Sequence, residues 1–218
     1  SIALLYQDDG FGRVGLAGVT AALERRGMTL VAEGTYTRNT TAVKKALLTI
    51  KKAKPDAVVM VGAYKPVAEF IKLSRRLKFN PTFVNISFVG SDALAQELGE
   101  AGEDVIISQV VPFPWDTDVP AVAQYQAALK AVAPDANPGF VTLEGYLTGR
   151  LALAALDAAG ADLTRQSYLE ALGGLQTLDF GGVTMTFGPD DNQGMDSVFL
   201  TRITKDGGFE QVTSGGAS

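Results

Sequence analysis

The first residues whose types and spacing could support chemistry are three glycines close to the start of the chain. They form the pattern Gly-x-Gly-x-x-Gly over residues 10–15, with which dinucleotide-binding proteins bring a helix N-terminus to a pyrophosphate. Glu33 stands about where such proteins place an acid for the ribose. A nucleotide site is therefore one interpretation of this turn.

Two features of the same turn weigh against a nucleotide. The fingerprint needs its first glycine directly at the end of a strand, but polar residues intervene here. Two of them, Asp8 and Asp9, carry carboxylates that would repel a pyrophosphate from a helix N-terminus. We favour a sharp glycine turn in which Asp8 or Asp9 caps the helix and Phe11 projects into a cleft.

The composition argues against several kinds of chemistry. The chain has no histidine and no cysteine, so it lacks the commonest general base, the thiol nucleophile and the usual ligands of zinc. Its formal net charge of −5 argues against nucleic acid as a partner, because nucleic acid binds basic surfaces. We expect a binding function with no catalytic residue, no bound metal and no cofactor.

The glycine turn belongs to the first of several strand-and-helix units. Apolar segments of strand length alternate with segments of helical spacing, which is typical of a parallel sheet covered by helices. The predicted strands span residues 2–6, 28–33, 57–61, 82–86 and 104–108. The predicted helices span residues 16–26, 42–53, 67–77 and 91–98, with Thr40 or Thr41 as the cap of the second. The pattern predicts one doubly wound α/β lobe.

Ligands of such sheets bind where strands end and helices begin. Four candidate contacts stand at those points: Phe11, Tyr64, Ser87 and Phe88. Phe11 could instead plug the core of its turn, and Ser87 could only cap the turn that follows it. Gly62 and Pro66 favour a rigid loop around Tyr64.

The repeating pattern ends after residue 108. Residues 109–118 are extended, contain two prolines and include the single tryptophan, Trp115, for which we favour packing at a hinge over stacking on a ligand. Three helices are predicted at 119–132, 140–159 and 163–172, followed by strands at 182–187, 197–204 and 209–212. Helix 140–159 is apolar nearly all round, so we expect burial on several sides, yet the chain offers little sheet to cover it.

Taken together, these segments resemble a known family. Their order and spacing are similar to those of type I periplasmic solute-binding proteins in the branched-chain amino-acid (Leu/Ile/Val) family that serves ABC transporters. The resemblance extends from about Ile2 to Val212. It is carried by Leu4 to Gly12, Gly62-x-Tyr64-x-Pro66, Phe88-Val-Gly-Ser91, Val105 to Pro112 and Glu144-Gly-Tyr146.

The resemblance implies two α/β lobes joined by crossing segments, with the ligand clamped between the lobes. The C-terminal lobe would comprise residues 1–110 and 197–212, and helices within 119–175 would belong to the N-terminal lobe. Residues 109–118 and 176–196 would form the crossing or hinge segments. The opening third of a family member has no counterpart, so the N-terminal lobe would be only partly present. We expect the exposed apolar face of helix 140–159 to promote self-association.

The resemblance also implies roles for single residues. Phe11, Tyr64 and Phe88 would form aromatic walls, and Tyr64 would add a hydroxyl near Ser87. Glu144 and Tyr146 would be polar tips at the cleft or, alternatively, satisfied core groups. Amino-acid binders of this family often place an acid where Ser87 stands. A serine provides no charge, so the solute is either an amino acid or another small molecule, such as an aromatic or aliphatic carboxylate.

The function implied is that of the solute-binding component of an ABC importer. Its partners would be a small solute and the transporter's membrane subunits, and its location would be periplasmic or extracellular, although the sequence contains no signal peptide. Two alternatives stay open. One is a ligand-sensing domain of a receptor or signalling protein, and the other is an NAD-binding Rossmann enzyme built on the first glycine turn.

Overall fold

The structure is a computed structural model that describes residues 1–188 and 191–212. The predicted tail at 213–218, and residues 189–190 of the predicted second crossing segment, lie outside the described residues. The elements in chain order are β1 (Ile2–Gln7), α1 (Gly10–Glu24), β2 (Ala32–Tyr36), α2 (Lys44–Ala53), β3 (Ala57–Val61), α3 (Tyr64–Arg76), β4 (Thr82–Ile86), α4 (Ser91–Leu98), β5 (Ile106–Gln109), α5 (Pro120–Val132), α6 (Phe140–Ala159), α7 (Arg165–Gly174), β6 (Thr177–Asp179), β7 (Thr184–Thr186), β8 (Phe199–Ile203) and β9 (Phe209–Gln211).

The chain divides into two compact units. Of the described residues, the first unit contains Ser1–Ser108 and 200–212, and the second contains those within Gln109–Phe199. Among the described residues, no helix combines the length and the apolar character needed to cross a membrane.

The first unit is built on a seven-stranded sheet in the order β2-β1-β3-β4-β5-β8-β9. Strands β1 to β5 pair in parallel, and β8 pairs antiparallel with β9. Ala3, Leu4 and Leu5 are all fully buried, so β1 is covered on both faces, as parallel strands are. The mostly parallel sheet confirms the predicted α/β class.

The strand order places a topological switch point at the centre of the sheet. The chain runs from β1 outward to β2 and then returns past β1 to β3, after which it continues toward β4 and β5. The loops that follow β1 and β3 therefore leave the sheet in opposite directions and open a crevice at its carboxyl edge.

One strand prediction was wrong in register. The second strand was predicted at 28–33, but β2 lies at Ala32–Tyr36. The backbone N–H of Met28 donates to the carbonyl of Leu23, so Met28 closes α1, and bonding to β1 starts only where the N–H of Val31 donates to the carbonyl of Ile2. Tyr36, which ends β2, is only 2% exposed because the helices pack over it. The apolar run at 28–31 had suggested an earlier strand.

The second unit is mainly helical. It contains α5, α6, α7 and an antiparallel pair, β6 with β7. The predicted strand at 182–187 is present as β7, but its partner β6 was not predicted. Helix α6 buries Phe140, Leu143 and Leu147, whereas Val141 and Leu153 are each 60% exposed. One apolar face of α6 is thus open among the described residues.

Candidate ligand site

The turn after β1 is organised by the carboxylate of Asp9. The backbone N–H of Gly12 donates to Oδ1 of Asp9 at 3.1 Å, and Nε2 of Gln7 donates to Oδ2 at 2.5 Å. The bond from Gly12 is the main reason that the pKa of Asp9 lies below its ordinary value. Asp9, rather than Asp8, is therefore the cap of α1.

Gly12 is required by a close approach between two backbone segments. A Cβ atom at this position would lie 1.8 Å from the carbonyl oxygen of Gln7, a distance that no side chain tolerates. The predicted glycine turn is therefore part of the helix: α1 begins at Gly10, and Gly12 lets it pack tightly on the end of β1, with a carboxylate already bound to its first turn. A pyrophosphate would have to displace that carboxylate.

An aromatic pair stands at the carboxyl edge of the sheet. Phe11 follows β1 and Phe88 lies in the short turn Ser87–Val89 after β4, and their ring centroids are 4.3 Å apart. Phe88 is 63% exposed although its ring is large and apolar. A core plug would be buried, so this pair presents an apolar wall rather than filling the interior. Ser87 lies half-buried beside it.

A hydrogen-bond chain joins the ends of three strands beneath this edge. The backbone N–H of Ala63 donates to the Tyr36 hydroxyl at 3.2 Å, and that hydroxyl donates to Oε1 of Gln7 at 3.3 Å. Nε2 of Gln7 then donates to Asp9. Burial raises the pKa of Tyr36, so its hydroxyl keeps its proton and stays a donor.

Gly62 makes room for the Tyr36 hydroxyl. A Cβ atom at Gly62 would lie 2.3 Å from Oη of Tyr36. The glycine is therefore needed so that the hydroxyl can reach between the ends of β1 and β3. Neither Tyr36 nor Gln7 was a predicted site residue, because their meeting depends on the order of strands in the sheet.

A cavity of about 620 Å³ opens directly above this chain of hydrogen bonds, at the switch point between β1 and β3. Its walls come from the end of β1, from the loop after β2 and from the start of α3; they are Gln7, Asn39, Thr40, Thr41, Ala63, Tyr64, Lys65 and Pro66. The volume is in the range of small-molecule pockets. Tyr64 was predicted to contact a ligand here, whereas Lys65 and the loop 39–41 were not.

The loop after β2 has a different role from the one predicted. Thr40 or Thr41 was expected to cap the second helix, but α2 begins at Lys44 after Val43. Oγ1 of Thr40 donates to the carbonyl of Thr37 and so closes the loop on itself. The polar residues of this loop line the cavity instead of holding the helix end.

Glu144 and Tyr146 lie in the second unit, on α6. The ring of Tyr146 packs 5.8 Å from that of Tyr125, and its hydroxyl accepts a hydrogen bond from Arg150 at 3.1 Å. Glu144 is exposed and borders an apolar cavity of about 210 Å³ within the same unit. Glu144 and Tyr146 thus belong to the second unit. The other predicted site residues belong to the first unit: Phe11, Tyr64, Ser87 and Phe88.

Trp115 belongs to an aromatic cluster of the second unit. Its ring centroid is 4.9 Å from that of Phe113 and 5.6 Å from that of Phe140, at the start of α6.

Within residues 1–188 and 191–212, no group of three or more acidic side chains is placed to hold a metal ion.

The fold and this edge agree with a known class of proteins. The periplasmic binding protein family matches residues 1–208, and the chain therefore belongs to that family. The membership confirms the resemblance found in the sequence and implies an extracytoplasmic location. It is a family of binding proteins and receptors.

Solved structures resemble the chain over nearly all of its length. A "possible leucine/isoleucine/valine-binding protein" from Rhodopirellula baltica SH 1 is 35% identical with a TM-score of 0.90, and the match covers 97% of this chain and 58% of that one. An extracellular ligand-binding receptor from Verminephrobacter eiseniae ef01-2 is 25% identical (TM-score 0.84, covering 96% and 60%). A fatty acid ABC transporter substrate-binding protein from Thermomonospora curvata, 21% identical, shares the fold (TM-score 0.84, covering 97% and 56%). The chain thus spans less than two thirds of these proteins.

Proposed function

We propose that the protein is the solute-binding component of an ABC importer and that it clamps a small amino acid or carboxylate between two hinged lobes. The observation that carries the proposal is the aromatic pair of half-buried Phe11 and exposed Phe88, which stands with Tyr64 at the carboxyl edge of the sheet. A large apolar ring held in solvent beside a polar cavity is the arrangement expected of a ligand site.

In this proposal residues 1–110 and 197–212, which include the described residues of the first unit, form the C-terminal lobe. Helices within 119–175 belong to the N-terminal lobe, and residues 109–118 and 176–196 cross between the lobes. A ligand that touches both lobes favours the closed form by the difference between its affinities for the closed and open forms. The membrane subunits of the transporter then recognise the closed form.

The residues at the edge have distinct roles in binding. Phe11 and Phe88 pack against the apolar body of the solute, and Tyr64 contributes its ring and hydroxyl. Ser87 supplies a hydroxyl but no charge to hold an ammonium group. We therefore rank carboxylates without an amine above amino acids. Branched-chain amino acids stay among the candidate solutes, because the similar protein from Rhodopirellula baltica is described as a possible leucine/isoleucine/valine-binding protein. Glu144 and Tyr146 remain proposed contacts from the other lobe.

The protein acts without a catalytic step in this proposal and works in the periplasm or outside the cell. Asp9 supports a binding rather than a nucleotide-dependent function, because its carboxylate already caps α1 where a pyrophosphate would bind.

A thermal-shift screen tests the proposal. The panel comprises leucine, phenylalanine, their keto acids, 3-phenylpropanoate and, as a control, NAD. At about 100 times its dissociation constant, a true solute adds roughly 2.7 kcal/mol to the apparent free energy of unfolding. We expect the acids without an amine to stabilise the protein most. Stabilisation by NAD alone would overturn the proposal, as would a panel in which no compound binds.

A ligand-sensing domain is the second candidate, supported by the similarity to the extracellular ligand-binding receptor from Verminephrobacter eiseniae ef01-2. The two candidates differ in their partner. An importer's membrane subunits, reconstituted in vesicles, should hydrolyse ATP faster with the solute-loaded protein than with the empty one. A sensor would leave that rate unchanged.

A further inference from the structure

The cavity at the switch point differs in chemistry from the aromatic pair beside it. Of the eight residues that line it, Lys65 is the charged one, and the others are apolar or carry neutral polar groups. Lys65 is exposed and its Nζ lies 5.9 Å from the centroid of the Tyr64 ring. The cavity therefore has one positive group and no carboxylate in its wall.

The charge of Lys65 acts on Glu97 from a distance: the pKa of that carboxyl is lowered first by its hydrogen bond from Lys72 and also by the charge of Lys65. Throughout the part of the chain that the structure describes, its Nζ forms no ion pair, and the nearby Glu97 is bound by Lys72 at 2.9 Å. The two acids that follow Gln7 are both occupied: Asp8 accepts a hydrogen bond from Arg13 at 3.2 Å, and Asp9 accepts hydrogen bonds from Gly12 and Gln7. An anion that enters the cavity thus meets a cation that holds no direct ion pair among the described residues and is attracted to Glu97 only from a distance.

Two neutral donors face the same space. The side chains of Asn39 and Thr41 make no hydrogen bond to another described residue, whereas those of Gln7 and Thr40 are bound within the protein. A carboxylate has two oxygens that together accept several hydrogen bonds. An ammonium group, an amide and a hydroxyl around one cavity match that requirement.

We propose that this cavity is the carboxylate subsite of the ligand site, with Lys65 as the cation that pairs with the solute. The inference rests on the proposed function and narrows it to a carboxylate with an apolar or aromatic body. The strand order supports this orientation, because Tyr64 follows β3, which lies between β1 and β4, the strands that lead to Phe11 and Phe88. The carboxylate enters the cavity, and the body of the solute lies across Tyr64 toward the aromatic pair.

Calorimetric titration of the purified protein tests the inference with two probes that differ only in charge, 3-phenylpropanoate and its neutral amide. The variants are K65M, which keeps the length of the side chain, K65R, which keeps the charge, and K52M, the same change at the exposed far end of α2. We expect K65M to weaken binding of the acid about tenfold or more, since a bond to a charged group is lost. Binding of the amide should change less than about twofold.

The controls separate the possible outcomes. K65R should restore most of the affinity for the acid, and K52M should bind both probes like the original protein. Equal effects of K65M and K52M on the acid, or equal affinities of the unmodified protein for acid and amide, would overturn the inference and leave the solute-binding function standing. If neither probe nor any amino acid of the thermal-shift panel binds the unmodified protein, the proposed function fails and the carboxylate subsite fails with it.

Discussion

Tyr36 and Gly62 form a pair whose coupling can be measured. Replacing Tyr36 by Phe removes a buried hydroxyl that accepts from the N–H of Ala63 at 3.2 Å and donates to Gln7 at 3.3 Å. Two modest hydrogen bonds are lost and a buried N–H loses its partner, which costs about 1–3 kcal/mol. With a urea m-value of roughly 2 kcal/mol/M, the midpoint of unfolding should fall by about 0.5–1.5 M.

The replacement of Gly62 by Ala should destabilise the protein by a steric clash with the same tyrosine. The new methyl group would lie 2.3 Å from Oη of Tyr36 and 3.1 Å from the nearest ring carbons, so the tyrosine must move. Such overpacking costs about 1–3 kcal/mol. If Tyr36 is already Phe, the closest clash is absent, and the second substitution should cost about 1 kcal/mol less than it does in the original protein.

A double-mutant cycle by urea unfolding measures this coupling. Gly18→Ala is the matched control, because Gly18 lies within α1 and a Cβ atom there meets no atom within 4 Å. It should raise stability by about 0.5–1 kcal/mol, the usual gain of Ala over Gly in a helix. Strictly additive costs for Y36F and G62A would refute the account of how these strand ends are held together.

Three further predictions concern Phe88, Asp9 and the open face of α6. Phe88→Ala should weaken binding of 3-phenylpropanoate about two- to tenfold, the value of one aromatic contact. It should leave the urea midpoint nearly unchanged, because the ring is 63% exposed. Val14→Ala is the control, since Val14 is 74% exposed on α1. The pKa of Asp9 is lowered in the folded protein, so the carboxylate stabilises the fold above its unfolded pKa, and this effect is lost as the pH falls through its folded pKa. Asp9→Asn, which still caps the helix, should therefore lose less stability between pH 5 and pH 2 than the original protein. An identical dependence of the unfolding free energy on pH in the two proteins would contradict this. Leu153→Asn on the open face of α6 should reduce self-association in sedimentation velocity, whereas Val14→Asn should not.

Local sequence patterns were sufficient to predict the bounds of several helices and strands. The strands at 57–61 and 82–86 and the helices at 91–98 and 140–159 have the bounds that periodicity predicted. Each is an apolar run or a helical stripe whose burial depends only on its own spacing. The cap by Asp9 was one of two predicted alternatives, because a carboxylate at the start of a helix is a local signal as well, although α1 begins at Gly10 and not at the predicted residue 16.

The displaced strand β2 shows where local patterns fail. Its residues Gly34 and Tyr36 do not form an apolar run, and they lie in the sheet because Leu5 and Gln7 pair with them. A Cβ atom at Gly34 would lie 2.7 Å from Cβ of Ala46, so α2 packs directly on this glycine. Pairing and helix packing, which join residues far apart in the chain, decided the register.

The sequence by itself determined the class of the fold, the family and the aromatic residues offered as ligand contacts, since each depends on residue types in a fixed order along the chain. Only the tertiary structure decided that β1 lies between β2 and β3, and hence that Gln7, Tyr36 and Ala63 are linked and that Lys65 faces a cavity with Asn39 and Thr41. The physical reason is that a cavity at a switch point is formed by loops that follow three different strands. Their meeting depends on strand order, which no local spacing encodes.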